Sequence, residues 1–191
     1  MVKTIKDIDV AGKRVLVRAD FNVPLKDGKV ADDFRIRATL PTIEYLTQAG
    51  ACVILCSHLG RPGGKVVEDL RLDPVARRLA NLLDQKVIKT DDCIGDQVQE
   101  AVQDLEPGQV LLLENTRFHP GEKANDAAFA AKLARGSELY ANDAFGAAHR
   151  AHASTEGVAH RLPAVAGLLM ARELETPGRG RENPSHPFIA I

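Results

Sequence analysis

Short apolar runs, each only a few residues long, restrict how this chain can fold more than any other feature of its sequence. Such runs span residues 14–18, 51–57, 87–88, 110–114 and 139–143. Apolar residues that do not alternate with polar ones indicate strands buried on both faces, as in a parallel sheet covered by helices. The sequence therefore predicts five strands at the centre of the fold.

Amphipathic segments separate the predicted strands. Val75 and Leu79 lie on one face of a predicted helix, and Val98, Val102 and Leu105 lie on one face of the next. Strands that alternate with helices form βαβ units. We therefore predict a single α/β domain with a doubly wound, Rossmann-like parallel sheet and helices on both of its faces.

One of the predicted helices contains a proline. Ile36, Leu40, Ile43 and Leu46 share a face, but Pro41 lies among them. Because proline has no backbone N–H and its ring clashes with the preceding turn, the helix either kinks at Pro41 or begins there. The sequence leaves both alternatives open.

Composition and charge exclude several classes of protein. The chain has 191 residues with 25 basic and 26 acidic side chains, so it lacks the basic excess of most nucleic-acid-binding domains. No segment approaches the roughly 20 apolar residues of a membrane helix, and the first residues contain no apolar signal-peptide core. Cys52 and Cys56 are expected to be buried thiols on one face of a strand. We expect a cytoplasmic protein that binds neither nucleic acid nor membranes.

Polar residues suited to anion binding follow four of the predicted strands, and Arg35 lies near the start of the first helix. The carboxyl ends of parallel strands share one edge of a sheet, so we expect these side chains to converge there. Guanidinium groups bind carboxylate and phosphate oxygens in pairs, which predicts a site for a small, multiply charged anion. The central expectation is that Arg35, Arg61, Arg117 and Arg150 share one pocket.

Asp20 does not fit a simple anion site, because its carboxylate would repel the ligand. We expect it either to accept a hydrogen bond from a hydroxyl group of the ligand or to brace an arginine. The predicted ligand is therefore an anion that also carries a hydroxyl group.

The spacing of residues does not support other common sites. Residues 60–65 resemble a P-loop only faintly, because Leu59 and Val66 occupy positions that need Gly and Ser or Thr. His149 and His152 lack the acidic partner of a zinc motif, and His119 is expected to be solvated or to cap a helix. The sequence thus predicts neither a nucleotide site nor a metal site in this chain.

Four motifs, in this order, resemble the phosphoglycerate kinase family. They span residues 18–24, 57–62, 114–118 and 142–154, and the similarity covers nearly the whole chain. The resemblance implies the N-terminal domain of an enzyme that transfers a phosphoryl group from 1,3-bisphosphoglycerate to ADP, giving 3-phosphoglycerate and ATP. Mg-ATP and Mg-ADP would bind to a missing C-terminal domain, so this chain alone is expected to be inactive.

The resemblance also implies a role for each residue of the predicted site. Asp20 and Asn22 would contact the hydroxyl or carboxylate end of the glycerate. Arg35 would reach the transferring phosphoryl group and would be the catalytic residue of this half. The anionic groups of the substrate would be bound by His58, Arg61, Arg117 and Arg150. We further expect His58 to bind anions best when it is protonated, below its reference pKa of about 6.5.

The resemblance divides the chain into three parts and implies a monomer. Residues 1–165 would form the domain that binds 3-phosphoglycerate, residues 166–186 an interdomain helix or hinge, and residues 187–191 the start of the missing nucleotide-binding domain. Pro and Gly within residues 177–180 interrupt a helix that is continuous in the family, so we expect a kinked or loose hinge.

Two other functions stay open from the sequence alone. A stand-alone module for anionic metabolites would need no second domain, and residues 187–191 would then pack against this one. A nucleic-acid or dinucleotide binder would rest on fold analogy, and the neutral charge and missing fingerprint argue against it.

Overall fold

The computed structural model describes residues 2–182, without the side chains of residues 176–182. The strands are β1 (Arg14–Arg18), β2 (Leu25–Lys26), β3 (Lys29–Val30), β4 (Cys52–Cys56), β5 (Val87–Lys89), β6 (Val110–Leu112), β7 (Leu139–Asn142) and β8 (Ala164–Ala166). The helices are α1 (Phe34–Gln48), α2 (Asp73–Leu83), α3 (Asp96–Gln103), α4 (Pro120–Lys123), α5 (Ala127–Ala134), α6 (Phe145–Ala148) and α7 (Leu168–Glu182).

Six strands form one parallel sheet in the order β5-β6-β4-β1-β7-β8, and β2 and β3 form a separate antiparallel hairpin. The central strand β1 pairs with β4 on one side and with β7 on the other, so that Val17 lies between Leu55 and Ala141. This arrangement confirms the predicted doubly wound parallel sheet. The hairpin and β8 were not predicted, because each hairpin strand has two residues of which one is lysine, and β8 is separated from the apolar start of α7 by Gly167 alone.

The two faces of the sheet are covered by different helices. Val15 and Val17 of β1 pack in a buried cluster with residues of α1 and α2, whereas Leu16 packs in a second cluster with residues of α3 and α5. Successive side chains of a strand point to opposite faces, which explains this division. Cys52 and Cys56 are both buried in the second cluster, as predicted.

Pro41 lies inside α1, which is one helix from Phe34 to Gln48. The alternative in which the helix begins at Pro41 is therefore wrong. Ile36, Ile43 and Leu46 are buried against the sheet, and this packing stabilises a helix that contains an unfavourable residue.

Helix α7 is anchored at its first turn by groups outside the helix. The carboxylate Oδ1 of Asp143 accepts hydrogen bonds from the backbone N–H of Leu169 at 2.9 Å and of Met170 at 3.3 Å, and Thr42 accepts one from Leu168 at 2.9 Å. Burial raises the pKa of Asp143 to about 6. The anchored N–H groups are ones that a helix cannot satisfy internally.

Helix α7 continues to Glu182 through residues 177–180, so the proline and glycines do not end it, and the kinked or loose hinge stays a prediction. A proline in a helix removes one backbone hydrogen bond, and the anchored first turn offsets part of that loss. The predicted boundary between residues 165 and 166 falls inside β8, and the strand predicted at residues 187–191 lies outside the described residues. No helix in the described part of the chain is long and apolar enough to cross a membrane.

Candidate functional site

A pocket of about 210 Å³ lies at the carboxyl edge of the sheet and is called the central pocket here. It is lined by Asp20, Asn22, Arg35, His58, Gly60, Arg61, Arg117, Gly146, Ala147 and Arg150. These residues follow β1, β4, β6 and β7 or lie at the start of α1. The structure therefore brings all seven predicted site residues together, including the four arginines expected to share one pocket.

The central pocket has an excess of positive charge. Within the described part of the chain, Arg61, Arg117 and Arg150 have no carboxylate partner within salt-bridge distance, whereas Arg35 pairs with Asp20 at 2.5 Å. Three uncompensated guanidinium groups around so small a cavity form a receptor for an anion with more than one charged group. An adjoining groove of about 640 Å³ is larger but mixes acidic and basic side chains, so it lacks this complementarity.

Asp20 braces Arg35, which is the second of the two roles expected for it. Its Oδ2 accepts the short hydrogen bond from Arg35 Nη1, and its Oδ1 accepts one from the backbone N–H of Asn22 at 3.3 Å. The side-chain oxygen of Asn22 in turn accepts from the backbone N–H of Gly60 at 2.9 Å. Asp20 and Asn22 thus connect the loops that follow β1 and β4.

Arg117 is the most enclosed arginine of the central pocket. Its Nη1 donates to the carbonyl oxygen of Gly60 at 2.9 Å, and its buried Nε has no hydrogen-bond partner in the part of the chain that the structure describes. Burial lowers the pKa of Arg117, and the neighbouring cations Arg150, Arg18 and Arg61 lower it further. An anion in the pocket would offset this mutual repulsion.

Asn115 holds the loops of the central pocket in place from behind. It is fully buried, its Oδ1 accepts from the backbone N–H of Leu59 and of Arg117, and its Nδ2 donates to the carbonyl oxygens of Leu59 and Leu70. These bonds use its whole hydrogen-bonding capacity. Asn115 lies in a motif noted from the sequence, but its role depends on contacts between distant segments.

A buried polar chain behind the central pocket begins at Arg18, whose side chain is 1% exposed. Arg18 Nη2 lies 2.8 Å from His58 Nδ1, and Arg18 Nε donates to Ser154 Oγ at 2.8 Å. Ser154 Oγ donates to Glu122 Oε1 at 2.6 Å. The sequence did not predict this series of hydrogen bonds, because nothing in it relates Glu122 to Arg18.

The contact with Arg18 fixes the protonation of His58. A guanidinium can only donate, so Nδ1 of His58 accepts and the ring proton lies on Nε2. Burial lowers the pKa of His58 to about 2, and Arg18, Arg117 and Arg150 contribute to the lowering. The expectation that His58 binds anions in its protonated form is therefore wrong, because a second ring proton would point at a cation in a buried space.

We expect His58 to stay neutral with its proton on Nε2 from pH 5 to pH 8, an interval centred on the reference pKa of about 6.5. The folded-state pKa lies far below this interval, so the population of the neutral ring does not change within it. Long-range ¹H–¹⁵N correlation spectra of the imidazole nitrogens would measure the tautomer. A doubly protonated His58 at pH 5 would contradict the assignment.

Comparisons with known proteins agree with the sequence motifs and the fold. The family model described as phosphoglycerate kinase matches residues 5–191. The chain is 62% identical over 188 residues to a phosphoglycerate kinase of Moorella thermoacetica and 58% identical over 189 residues to one of Pelotomaculum thermopropionicum. These alignments cover 98% and 99% of this chain but 48% of each relative, so the chain spans about half the length of the curated relatives it matches.

Solved structures give the same result. The phosphoglycerate kinase of Coxiella burnetii superposes with a TM-score of 0.86 at 38% identity, and that of Pyrococcus horikoshii with a TM-score of 0.88 at 35% identity. Each comparison covers 98% of this chain and 47% of the other. The match to the family model and these identities show that the chain belongs to the phosphoglycerate kinase family.

Proposed function

We propose that this chain is the glycerate-binding half of a phosphoglycerate kinase, which converts 1,3-bisphosphoglycerate and ADP to 3-phosphoglycerate and ATP. The observation that carries the proposal is the central pocket, in which four guanidinium groups face a cavity of about 210 Å³. Glycolysis, a cytoplasmic location and a monomeric state belong to the same proposal.

The substrate would bind through charge and hydrogen bonds. Arg61, Arg117 and Arg150 are free of carboxylate partners within the described residues and would contact the phosphate and carboxylate oxygens. His58 would donate one hydrogen bond from Nε2, because its Nδ1 is occupied by Arg18. Asn22 has an amide nitrogen without a partner in the described part of the chain, which suits the hydroxyl or carboxylate of the glycerate.

Arg35 would assist the transfer itself. Phosphoryl transfer requires positioning and stabilisation of charge on the transferring group rather than covalent help from the protein. Arg35 is half exposed and is held at the pocket by Asp20, so its guanidinium can reach a group that enters from outside. A guanidinium group keeps its charge at any working pH.

The nucleotide would be bound by the other half of the full-length protein. In this proposal residues 1–165 bind the glycerate, residues 166–186 lead to the second domain, and residues 187–191 begin it. Mg-ADP or Mg-ATP is the second substrate of the reaction and would approach the central pocket from that domain. The isolated chain would then bind the glycerate without turnover.

We expect this 191-residue chain to bind 3-phosphoglycerate and to bind ATP much more weakly in isothermal titration calorimetry. Arg61→Ala should weaken glycerate binding by about 10–100-fold, since a hydrogen bond between charged groups contributes roughly 1.5–3 kcal/mol. Arg77→Ala is the matched control, because Arg77 lines two grooves outside the central pocket. Tight ATP binding without glycerate binding would overturn the proposal. Glycerate binding by a full-length protein without turnover would favour a binding module for anionic metabolites.

A further inference from the structure

Three potential metal ligands of different chemical kinds lie together outside the central pocket. Asp92, Cys93 and His119 each contribute one potential ligand atom, and these three atoms lie within 4.8 Å of one another. Asp92 and Cys93 follow β5, and His119 follows the turn after β6. The cluster therefore lies at the carboxyl edge of two neighbouring strands, the edge where doubly wound sheets bind ligands.

The donor set suits a borderline metal ion. Carboxylate oxygen, thiolate sulfur and imidazole nitrogen are the three ligand types of protein zinc sites. The bond lengths of a tetrahedral zinc site place these donor atoms about 3.3–3.6 Å apart from one another. His119 Nε2 now lies 2.6 Å from Asp92 Oδ1, so these two atoms would separate by less than an ångström in a typical zinc geometry. Small side-chain rotations of the two partly exposed residues supply such a change.

The surroundings of the thiol favour a cation. Cys93 is 1% exposed, and its sulfur makes no hydrogen bond within the described residues. The acidic side chains of Asp92 and Glu122 lie near the thiol, and their negative charge would attract a cation. The ring of His119 packs at 5.3 Å from the ring of Phe129, which holds the imidazole beside the thiol.

A hydrogen bond between Asp92 and His119 alone is the simpler explanation of part of this geometry. That hydrogen bond does not explain why the Cys93 thiol lies beside Asp92 and His119, because a buried thiol adds little to the stability of a hydrogen bond between two other side chains. Three different ligands on two adjacent strand ends, with negative charge around them, are the features of a partly open zinc site.

We propose that Asp92, Cys93 and His119 bind one transition-metal ion, with Zn²⁺ as the preferred ion and a water molecule as the fourth ligand. The bound ion connects the loop after β5 to the loop after β6. Since β5 is an edge strand of three residues, this connection stabilises the most weakly held strand on that side of the sheet. The proposal is independent of the function of the central pocket.

The test is a titration of the reduced, untagged 191-residue chain with Co²⁺ as a spectroscopic substitute for Zn²⁺. We expect one equivalent to produce a sulfur-to-cobalt charge-transfer band in the near ultraviolet and Zn²⁺ to abolish it. Cys93→Ser should remove the band. His119 is partly exposed, and His119→Gln should weaken Co²⁺ binding at least about 10–100-fold. Losses of this size are seen even when the replaced residue only orients a metal ligand.

Cys52→Ser is the matched control, because Cys52 is another buried thiol on the same face of the sheet but does not belong to the group of Asp92, Cys93 and His119. This variant should keep the band, and circular dichroism would check that every variant is folded. Absence of the band at saturating Co²⁺ would overturn the proposal, as would a band that persists in folded Cys93→Ser. If Cys93→Ser does not fold, an unchanged affinity in His119→Gln would overturn it equally.

Discussion

Replacing Arg35 with alanine in a full-length protein that contains this chain is expected to lower kcat by about 10²–10³-fold, as the loss of one contact to developing charge does in other enzymes. Arg35 Nη1 is held by Asp20 Oδ2 at 2.5 Å, and its side chain is 50% exposed at the mouth of the central pocket. If the guanidinium acts on the transferring group, kcat and kcat/KM should fall together. The free energy of unfolding should fall by roughly 1–3 kcal/mol, because Arg35 is half exposed but the Asp20 carboxylate that loses its partner is buried.

Arg37→Ala is the matched control for this experiment. Arg37 lies on the same helix two residues away, but its Nε pairs with Asp33 at 2.9 Å and the residue does not line the central pocket. Steady-state kinetics and urea unfolding of both variants would separate catalysis from stability. An unchanged kcat in Arg35→Ala would remove this residue from the catalytic role, and an equal loss in Arg37→Ala would assign the effect to helix α1 as a whole.

The sequence was sufficient to locate the central pocket because the position of a ligand site in a parallel sheet follows from the order and direction of the strands. Once residues 14–18, 51–57, 110–114 and 139–143 are predicted as parallel strands, their carboxyl ends must share one edge of the sheet. Every arginine expected there lines the same cavity. The strand predictions depend on separate apolar runs, and β8 is divided from the apolar start of α7 by Gly167 alone, so the sequence does not mark it as a strand of its own.

The protonation of His58 could not be predicted in the same way. Its pKa depends on burial and on three arginines that come from other segments of the chain. From the sequence, a histidine beside an anion site is expected to be charged, and the structure reverses this because Arg18 already occupies Nδ1. Contacts between distant buried polar groups are set by the packing of the whole domain and leave no local pattern.

Ser154 connects the two buried charges behind the central pocket and therefore has a larger role in stability than its size indicates. Its hydroxyl accepts from Arg18 Nε at 2.8 Å and donates to Glu122 Oε1 at 2.6 Å. Arg18, Ser154 and Glu122 are all at most 1% exposed, so water cannot replace a lost partner. A buried polar group that loses its hydrogen bond destabilises a protein by roughly 1–3 kcal/mol, and a charged group by more.

Ser154→Ala is accordingly expected to lower the free energy of unfolding by about 2–5 kcal/mol, since one substitution leaves a guanidinium nitrogen and a carboxylate oxygen without this partner. Ser137→Ala removes the same atom from a buried hydroxyl that has no hydrogen-bond partner among the described residues, so stability should be unchanged or slightly higher. Urea unfolding of the two variants and the parent chain measures both effects with the same m-value. Equal stability of the two variants would show that the hydrogen bonds from Arg18 through Ser154 to Glu122 do not contribute to folding, because the covalent change is identical in the two variants.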